Sequence, residues 1–292
     1  MQQFINITLS GLVEGMIYAA FALALVLIWR STRIVNFAQG SMAAATAFIA
    51  LALIDAGQSY WVALVVALIS GFVLGAIVER VIIRPVEGGP ELNAVIVTLG
   101  LFVAIQALIA IIFGSSFQSF PTPFGVRGFE IGDTTIAVTP TSLYIVGSVL
   151  VVMALLVALF RFTRIGLAMR AAAFGQEVAR LLGVRVGRML TLGWALAAVV
   201  GSLSGLLIAG GEFVYPAYMD SLIVFGFVAA VLGGLDSPVG AIVGGLLLGL
   251  ALSYVSGYVN SALVNVAALV ILMVVLLVKP GGLFASSVAR RA

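Results

Sequence analysis

Asn36, Gln39 and Ser41, with Gly40 between the last two, place two carboxamides and a hydroxyl at the head of an otherwise apolar stretch. Polar side chains entering such a stretch can line a water-filled path, where irregular backbone is tolerated. They can equally cap a helix at an interface. A second set, Arg170, Glu177 and Arg180, lies along the Ala-rich run from Arg170 to Leu182. Phe174 and Leu181 recur there at helical spacing, so the run predicts one short amphipathic helix with Gly183 as its C-terminal cap. A helix of that kind either lies among lipid headgroups or docks a protein partner. Covalent chemistry has little to work with. The chain has no His and no Cys, which removes the commonest general base, the commonest metal ligand, any thiol nucleophile and any disulfide. Its one lysine, Lys279, precedes Pro280, and no G-x-x-x-x-G-K-[ST] phosphate loop occurs.

Four more polar residues fall inside apolar runs: Glu14, Thr98, Gln106 and Asn265. An acid within a span is a functional candidate, although Glu14 is close enough to the outer boundary to snorkel. Thr98, Gln106 and Asn265 suit hydrogen bonding between helices. The break from Gly233 to Gly240 reads either as a tight turn or as an interrupted helix of a transporter.

The elements that position these residues must be membrane helices. The chain has 292 residues, is 63% hydrophobic and only 9% charged, with a mean hydropathy of +1.28. A water-facing exterior cannot be covered with so few polar side chains. Spans of about 20 apolar residues are expected near 9–29, 37–54, 61–78, 92–113, 142–160, 189–210, 221–235, 238–258 and 262–278, with 221–235 either a full or a partial crossing. Nine crossings put every Lys and Arg on one side except Arg127, and that side is the cytoplasm. The basic loop 161–188 and the tail with Lys279, Arg290 and Arg291 lie inside, and the N-terminus lies outside. The start has no positive n-region and does not read as a cleaved signal peptide. One domain, 1–292, is expected. Glycines four apart at Gly11/Gly15, Gly71/Gly75, Gly201/Gly205, Gly240/Gly244 and Gly245/Gly249 allow close helix packing.

Several motifs together resemble the permease subunits of branched-chain amino acid ABC importers, the LivH type. They are Asn36-Phe37-Ala38-x-Gly40, Glu79-Arg80-Val81 with Arg84-Pro85, and Thr98-x-Gly100 followed by Gln106. Arg170-Ala171 with Ala179-x-x-Leu182-Gly183 continues the series. Ala230-Val231-Leu232-Gly233-Gly234, Ser237-Pro238-x-Gly240, Gly244-Gly245 and Pro280-x-Gly282-Leu283-Phe284 complete it. The resemblance runs through nearly the whole chain, in order. It implies an all-α helical bundle of about eight crossings, one fewer than the charges require.

The resemblance also implies a division of labour. A periplasmic binding protein would deliver solute, and this chain with a second permease, or a second copy, would form the path. Two cytoplasmic ATP-binding subunits would dock on the loop near 170–183. Arg170, Glu177, Arg180, Leu182 and Gly183 are then the coupling residues. Asn36, Gln39, Gly40, Ser41, Thr98 and Gln106 are then the path residues. Lipid is the surrounding partner, in a bacterial inner membrane, and no nucleic acid, metal or cofactor is expected. Members often carry a histidine and an acid where this chain has Gln39 and Ser41, so urea, short amides and other amino acids stay open as solutes. An ion-coupled secondary transporter or a channel is the alternative, although the few intramembrane carboxylates suit ion coupling poorly. A membrane enzyme would lack a catalytic constellation.

Overall fold

The computed structural model describes residues 1–284 apart from Val126, Gly132, Asp133 and Ile136. Arg290 and Arg291 lie outside the described residues. The chain forms α1 (Gln2–Thr32), α2 (Gln39–Asp55), α3 (Tyr60–Ile77), α4 (Glu91–Phe113), α5 (Pro140–Phe162) and α6 (Arg164–Phe174). Then follow α7 (Gln176–Leu181), α8 (Val186–Ala209), α9 (Asp220–Gly233), α10 (Pro238–Tyr258) and α11 (Val264–Val278). A π-helical turn, Val78–Ile83, prolongs α3. Two short antiparallel ladders close one end: β1 (Gln118–Ser119) with β4 (Phe213–Val214), and β2 (Glu130–Ile131) with β3 (Thr134–Thr135).

Seven helical segments are long and apolar enough to cross a membrane, and α2 and α9 are shorter apolar helices. The expected eight to nine membrane segments are thus seven of full length and two short ones. At 1.5 Å per residue α2 spans about 25 Å and α9 about 21 Å, less than the ~30 Å of a hydrocarbon core.

α1 and α8 form the middle of the bundle and are buried along most of their length. A helix that is apolar all round belongs inside, and both are. α4, α5 and α11 leave most of their apolar surface uncovered, as helices facing lipid or another subunit do. Small residues set the central contacts. Gly11 and Gly15 of α1 lie against Gly245 and Gly249 of α10, where a Cβ on Gly249 would come within 2.3 Å of the Gly15 Cα. Gly71 and Gly75 of α3 meet Ser202 and Ala198 of α8 in the same way. All five glycine pairs sit at close contacts, as packing in lipid favours.

The helices alternate between two ends. At one end Arg33 pairs with Asp236, and Arg84 bonds the Gly187 carbonyl. There too the backbone N–H groups of Leu283 and Phe284 bond the carbonyls of Leu232 and Gly233. Every described Lys and Arg except Arg127 belongs to helix ends and links at this basic end. At the other end the Ala137 N–H bonds the Asn6 side chain, and Thr8 meets Tyr254.

Candidate functional site

The Asn36 segment enters the bundle. α1 ends at Arg33, whose backbone is left-handed with φ 59. The chain then turns back inward. The Val35 carbonyl accepts from Thr98 Oγ1 at 3.4 Å, and Thr98 lies roughly 10 Å along α4 from Glu91. Asn36 Nδ2 donates to Gln39 Oε1 at 3.0 Å, and Asn36 Oδ1 accepts from the Ala38 N–H at 3.1 Å. Gln39 Nε2 donates to the Ala197 carbonyl at 2.9 Å, roughly 16 Å along α8 from Val186. α2 therefore starts inside the bundle rather than at its surface.

α9 starts inside from the opposite direction. The Asp220 carboxylate accepts from Gln106 Nε2 at 2.7 Å, roughly 10 Å short of the end of α4. Met219 and Ile223 lie over Gly40, where a Cβ would come within 2.3 Å of Ile223. The N-terminal ends of the two short helices thus meet in the interior, and each carries a partial positive charge. Transporters place half-helix ends at solute sites in this way.

Asn36, Gln39, Gly40, Ser41 and Thr98 are all buried within this one chain. Their polar groups bond one another and the backbone, Ser41 Oγ going to the Ala38 carbonyl at 3.0 Å. They hold the junction together and line neither of the two cavities described below. Gln106 is half-buried beside the exposed Asp220.

The break from Gly233 to Gly240 is a tight turn. Ser237 Oγ caps α10 by accepting from the Gly240 N–H at 2.9 Å, and Gly234 takes φ 103. Only there can α9 and α10 approach so closely that a Cβ on Gly233 would lie 2.0 Å from the Gly240 carbonyl oxygen. The interruption that matters is at the other end of α9, where Tyr215 to Met219 lead into it.

At the basic end the segment 164–183 is two helices, not the single Arg170–Leu182 helix expected. It breaks at Gly175, which is extended at φ −167. The break separates Arg170 and Phe174 from Glu177 and Leu181. It lets Ala172 of α6 and Ala179 of α7 both pack on Val186 and Leu190 of α8, which one straight helix could not do. Thr163 caps α6 through the Gly166 N–H at 3.0 Å. Gly183 ends α7 as expected. It has φ 83, its N–H bonds the Arg180 carbonyl, and the Val184 N–H bonds the Ala179 carbonyl, the paired bonds of a Schellman cap. Arg170, Glu177, Arg180, Leu182 and Gly183 are all exposed. So are large apolar side chains, with Phe174 98% and Leu181 88% exposed.

Sequence reasoning missed the network beneath these helices. Glu79, fully buried in the π-turn, takes hydrogen bonds from Arg84 Nε at 3.0 Å and from an Arg84 terminal nitrogen at 2.8 Å to each oxygen. Thr191 donates to Glu79 at 2.7 Å, and Arg84 also reaches the Gly187 carbonyl at 2.7 Å. Gln176 bonds Glu87 at 3.2 Å, so α7 rests on the same link. The available signal was an acid and an arginine five apart just before Pro85.

Two cavities are relevant. A small one of about 70 Å³ at the basic end is lined by Arg30, Ser31 and Arg170 among apolar groups of α5, α6 and α8. A larger one of about 840 Å³ opens at the opposite end, between α1, α5, α9, α10 and the α8–α9 link.

A multi-pass helical bundle with two short helices meeting inside it, and with helices exposed at its basic end, is the architecture of a transport permease. The family described as the permease component of the branched-chain amino acid transport system matches residues 7–278, and the chain belongs to that family. The family is one of transport permeases and not of enzymes. The chain is 28% identical over 257 residues to the high-affinity branched-chain amino acid transport permease LivH of Escherichia coli K12, covering 82% of each chain. It is 27% identical over 256 residues to LivH of Salmonella typhimurium, again covering 82% of each. A probable LivH of Methanocaldococcus jannaschii is 25% identical over 246 residues, 80% of this chain and 75% of that one. Among solved structures, a chain of PsaBC from Streptococcus pneumoniae in complex with Fab superposes with a TM-score of 0.51 at 16% identity. The match covers 94% of this chain and 91% of that one, and it shows the fold alone.

Proposed function

We propose that this chain is a permease subunit of a binding-protein-dependent ABC importer in a bacterial inner membrane, with its basic end in the cytoplasm. The solute is a branched-chain amino acid or a related small polar molecule. Two cytoplasmic ATP-binding subunits hydrolyse the ATP, a periplasmic protein delivers the solute, and a second permease or a second copy completes the path. The observation that carries the reading is the surface of α6 and α7. These short helices stand outside the spanning segments and present Phe174 and Leu181 uncovered beside Arg170, Glu177 and Arg180. Apolar side chains rimmed by charge in this way suit a protein interface. Leu182 and the Gly183 cap fix the edge of that surface.

The proposed role of Asn36, Gln39, Gly40, Ser41 and Thr98 is to hold the inner ends of α2 and α9 together. Gln106 does the same from α4 through Asp220. The solute path then opens or closes as that junction shifts.

Transport into sealed vesicles tests the reading. An importer requires ATP on the basic side and the binding protein on the other. Uptake driven by an ion gradient, with neither ATP nor binding protein, would overturn it in favour of a secondary transporter.

A further inference from the structure

At the basic end two arginines share the lining of one small cavity, and no acid lines it among the described residues. Arg30 stands in the last turn of α1 and Arg170 on α6. Neither makes a hydrogen bond or an ion pair with another described residue. The acid whose charge reaches Arg30 is Asp236, and it already accepts from Arg33 and from the Trp29 indole. The third polar group of the lining, the Ser31 hydroxyl, donates to the Ile28 carbonyl at 2.8 Å. The donors left over are therefore guanidinium N–H groups. Two like charges in a partly desolvated place are relieved by an anion, and a guanidinium matches the oxygens of a phosphate.

The remaining walls are apolar, with Leu27, Phe160, Met169, Met189 and Leu196 among them. The volume, about 70 Å³, is far below the roughly 300–1,000 Å³ of pockets that enclose a small molecule. The cavity takes one anionic group and leaves the rest of its carrier outside. Its level in the bundle says what lies outside. Arg30 and Phe160 belong to the last turns of the spanning helices α1 and α5, the depth at which lipid headgroups begin. α5 and α6, two of the walls, also carry Leu155, Phe162 and Leu167 more than half exposed, an apolar surface for acyl chains. Basic pockets between membrane helices on the cytoplasmic side suit anionic headgroups. An acidic side chain of a docked protein would match the arginines but not the apolar walls.

We propose that this cavity binds the headgroup phosphate of an anionic phospholipid in the leaflet at the basic end. The phosphate lies between Arg30 and Arg170, and the acyl chains run along α5 and α6. One lipid then ties α6 to the end of α1. A zwitterionic headgroup fits less well, because its cation returns positive charge to a place that already has two. The proposal does not depend on which solute the chain carries or on how transport is driven.

Native mass spectrometry of the full chain in mild detergent tests it, with phosphatidylglycerol and phosphatidylcholine of matched chains as the probes. The parent chain is expected to retain phosphatidylglycerol more tightly than phosphatidylcholine. Arg30→Gln is expected to weaken that binding about fivefold. Arg164→Gln, at the same end but outside the lining, is expected to leave it unchanged. Ala173→Leu narrows the cavity while sparing both arginines, and is expected to weaken binding as well. Equal retention of the two lipids by the parent chain overturns the proposal, and that comparison needs no variant to fold. So does an Arg30→Gln chain that binds phosphatidylglycerol as Arg164→Gln does. Displacement of the lipid by an equal concentration of glycerol phosphate would overturn it in favour of a soluble phosphate. An Arg30→Gln chain that keeps the lipid but no longer recovers ATP-binding subunits would overturn it in favour of a protein partner.

Discussion

Gln39 and Ala197, 158 residues apart in sequence, are joined by a hydrogen bond of 2.9 Å from the Gln39 side-chain amide to the Ala197 carbonyl. The bond fixes the inner end of α2 against the middle of α8. It exists because Gly201, one turn along α8, leaves room for the carboxamide: a Cβ there would lie 2.1 Å from Gln39 Nε2.

That pair defines a double-mutant cycle. Gln39→Ala removes a buried donor, leaves Asn36 Nδ2 short of its acceptor, and is expected to cost roughly 1–3 kcal/mol. Gly201→Ala alone forces the amide out of place and is expected to cost a similar free energy, read as a lowered thermal midpoint in mild detergent. Together they are expected to cost less than the sum, because the alanine methyl then occupies the vacated space. Strict additivity would show that the two positions do not share one space.

Glu79 and Arg84 call for a different calculation. The carboxylate is fully buried, and its partners are Arg84 and Thr191. Arg84→Ala leaves that charge with the hydroxyl alone and is expected to destabilise the chain by about 3–5 kcal/mol, the usual cost of stripping one partner from a buried pair. Replacing both with apolar residues of similar volume is expected to cost much less. Denaturation of the purified variants measures both, and a mild Arg84→Ala effect would mean that water reaches Glu79.

These two contacts show what could be read from the chain and what could not. The long helices were legible because membrane spans are set by length and apolarity, properties local to each segment. The Gly183 cap was legible for the same reason, since a positive φ is a local requirement that glycine meets. The break at Gly175 was not, because the Ala-rich run favours one helix. What bends it is distant, the docking of Ala172 and Ala179 on α8. The polar residues Asn36, Gln39 and Ser41 were found by type. Their burial inside one subunit depends on Ala197 and Gly201, which no spacing near residue 40 reveals.

The interface role proposed for α6 and α7 is separable from folding, because Phe174 and Leu181 make little contact with the rest of the chain. Phe174→Asp and Leu181→Asp are expected to leave the thermal midpoint of the isolated chain nearly unchanged. They are expected to reduce recovery of ATP-binding subunits with the tagged chain by tenfold or more, as loss of about 1.4 kcal/mol or more from an interface anchor requires. Charge reversal by Arg180→Glu with Glu177→Arg should uncouple ATP hydrolysis from uptake. Unimpaired recovery and uptake in all of these variants would assign the surface to lipid.

Arg33 sets two effects against each other. It is the one non-glycine residue with positive φ among the described residues, at φ 59. A side chain in the left-handed region costs roughly 1–2 kcal/mol. Arg33 offsets this with its ion pair to Asp236 and a cation–π contact with Trp29, whose ring centre is 5.7 Å away. Both pair members are more than half exposed, so the pair is worth at most about 1 kcal/mol. Arg33→Ala keeps the strain and loses both contacts. Arg33→Gly loses the contacts and also the strain. The alanine variant is therefore expected to be the least stable of the three, with glycine close to the parent. Thermal midpoints in detergent at low and high salt check the order: salt should narrow the gap between arginine and glycine and leave the gap between glycine and alanine unchanged. If alanine matches glycine, the left-handed turn is not retained once the arginine is gone, and it is the ion pair, not the backbone, that ends α1.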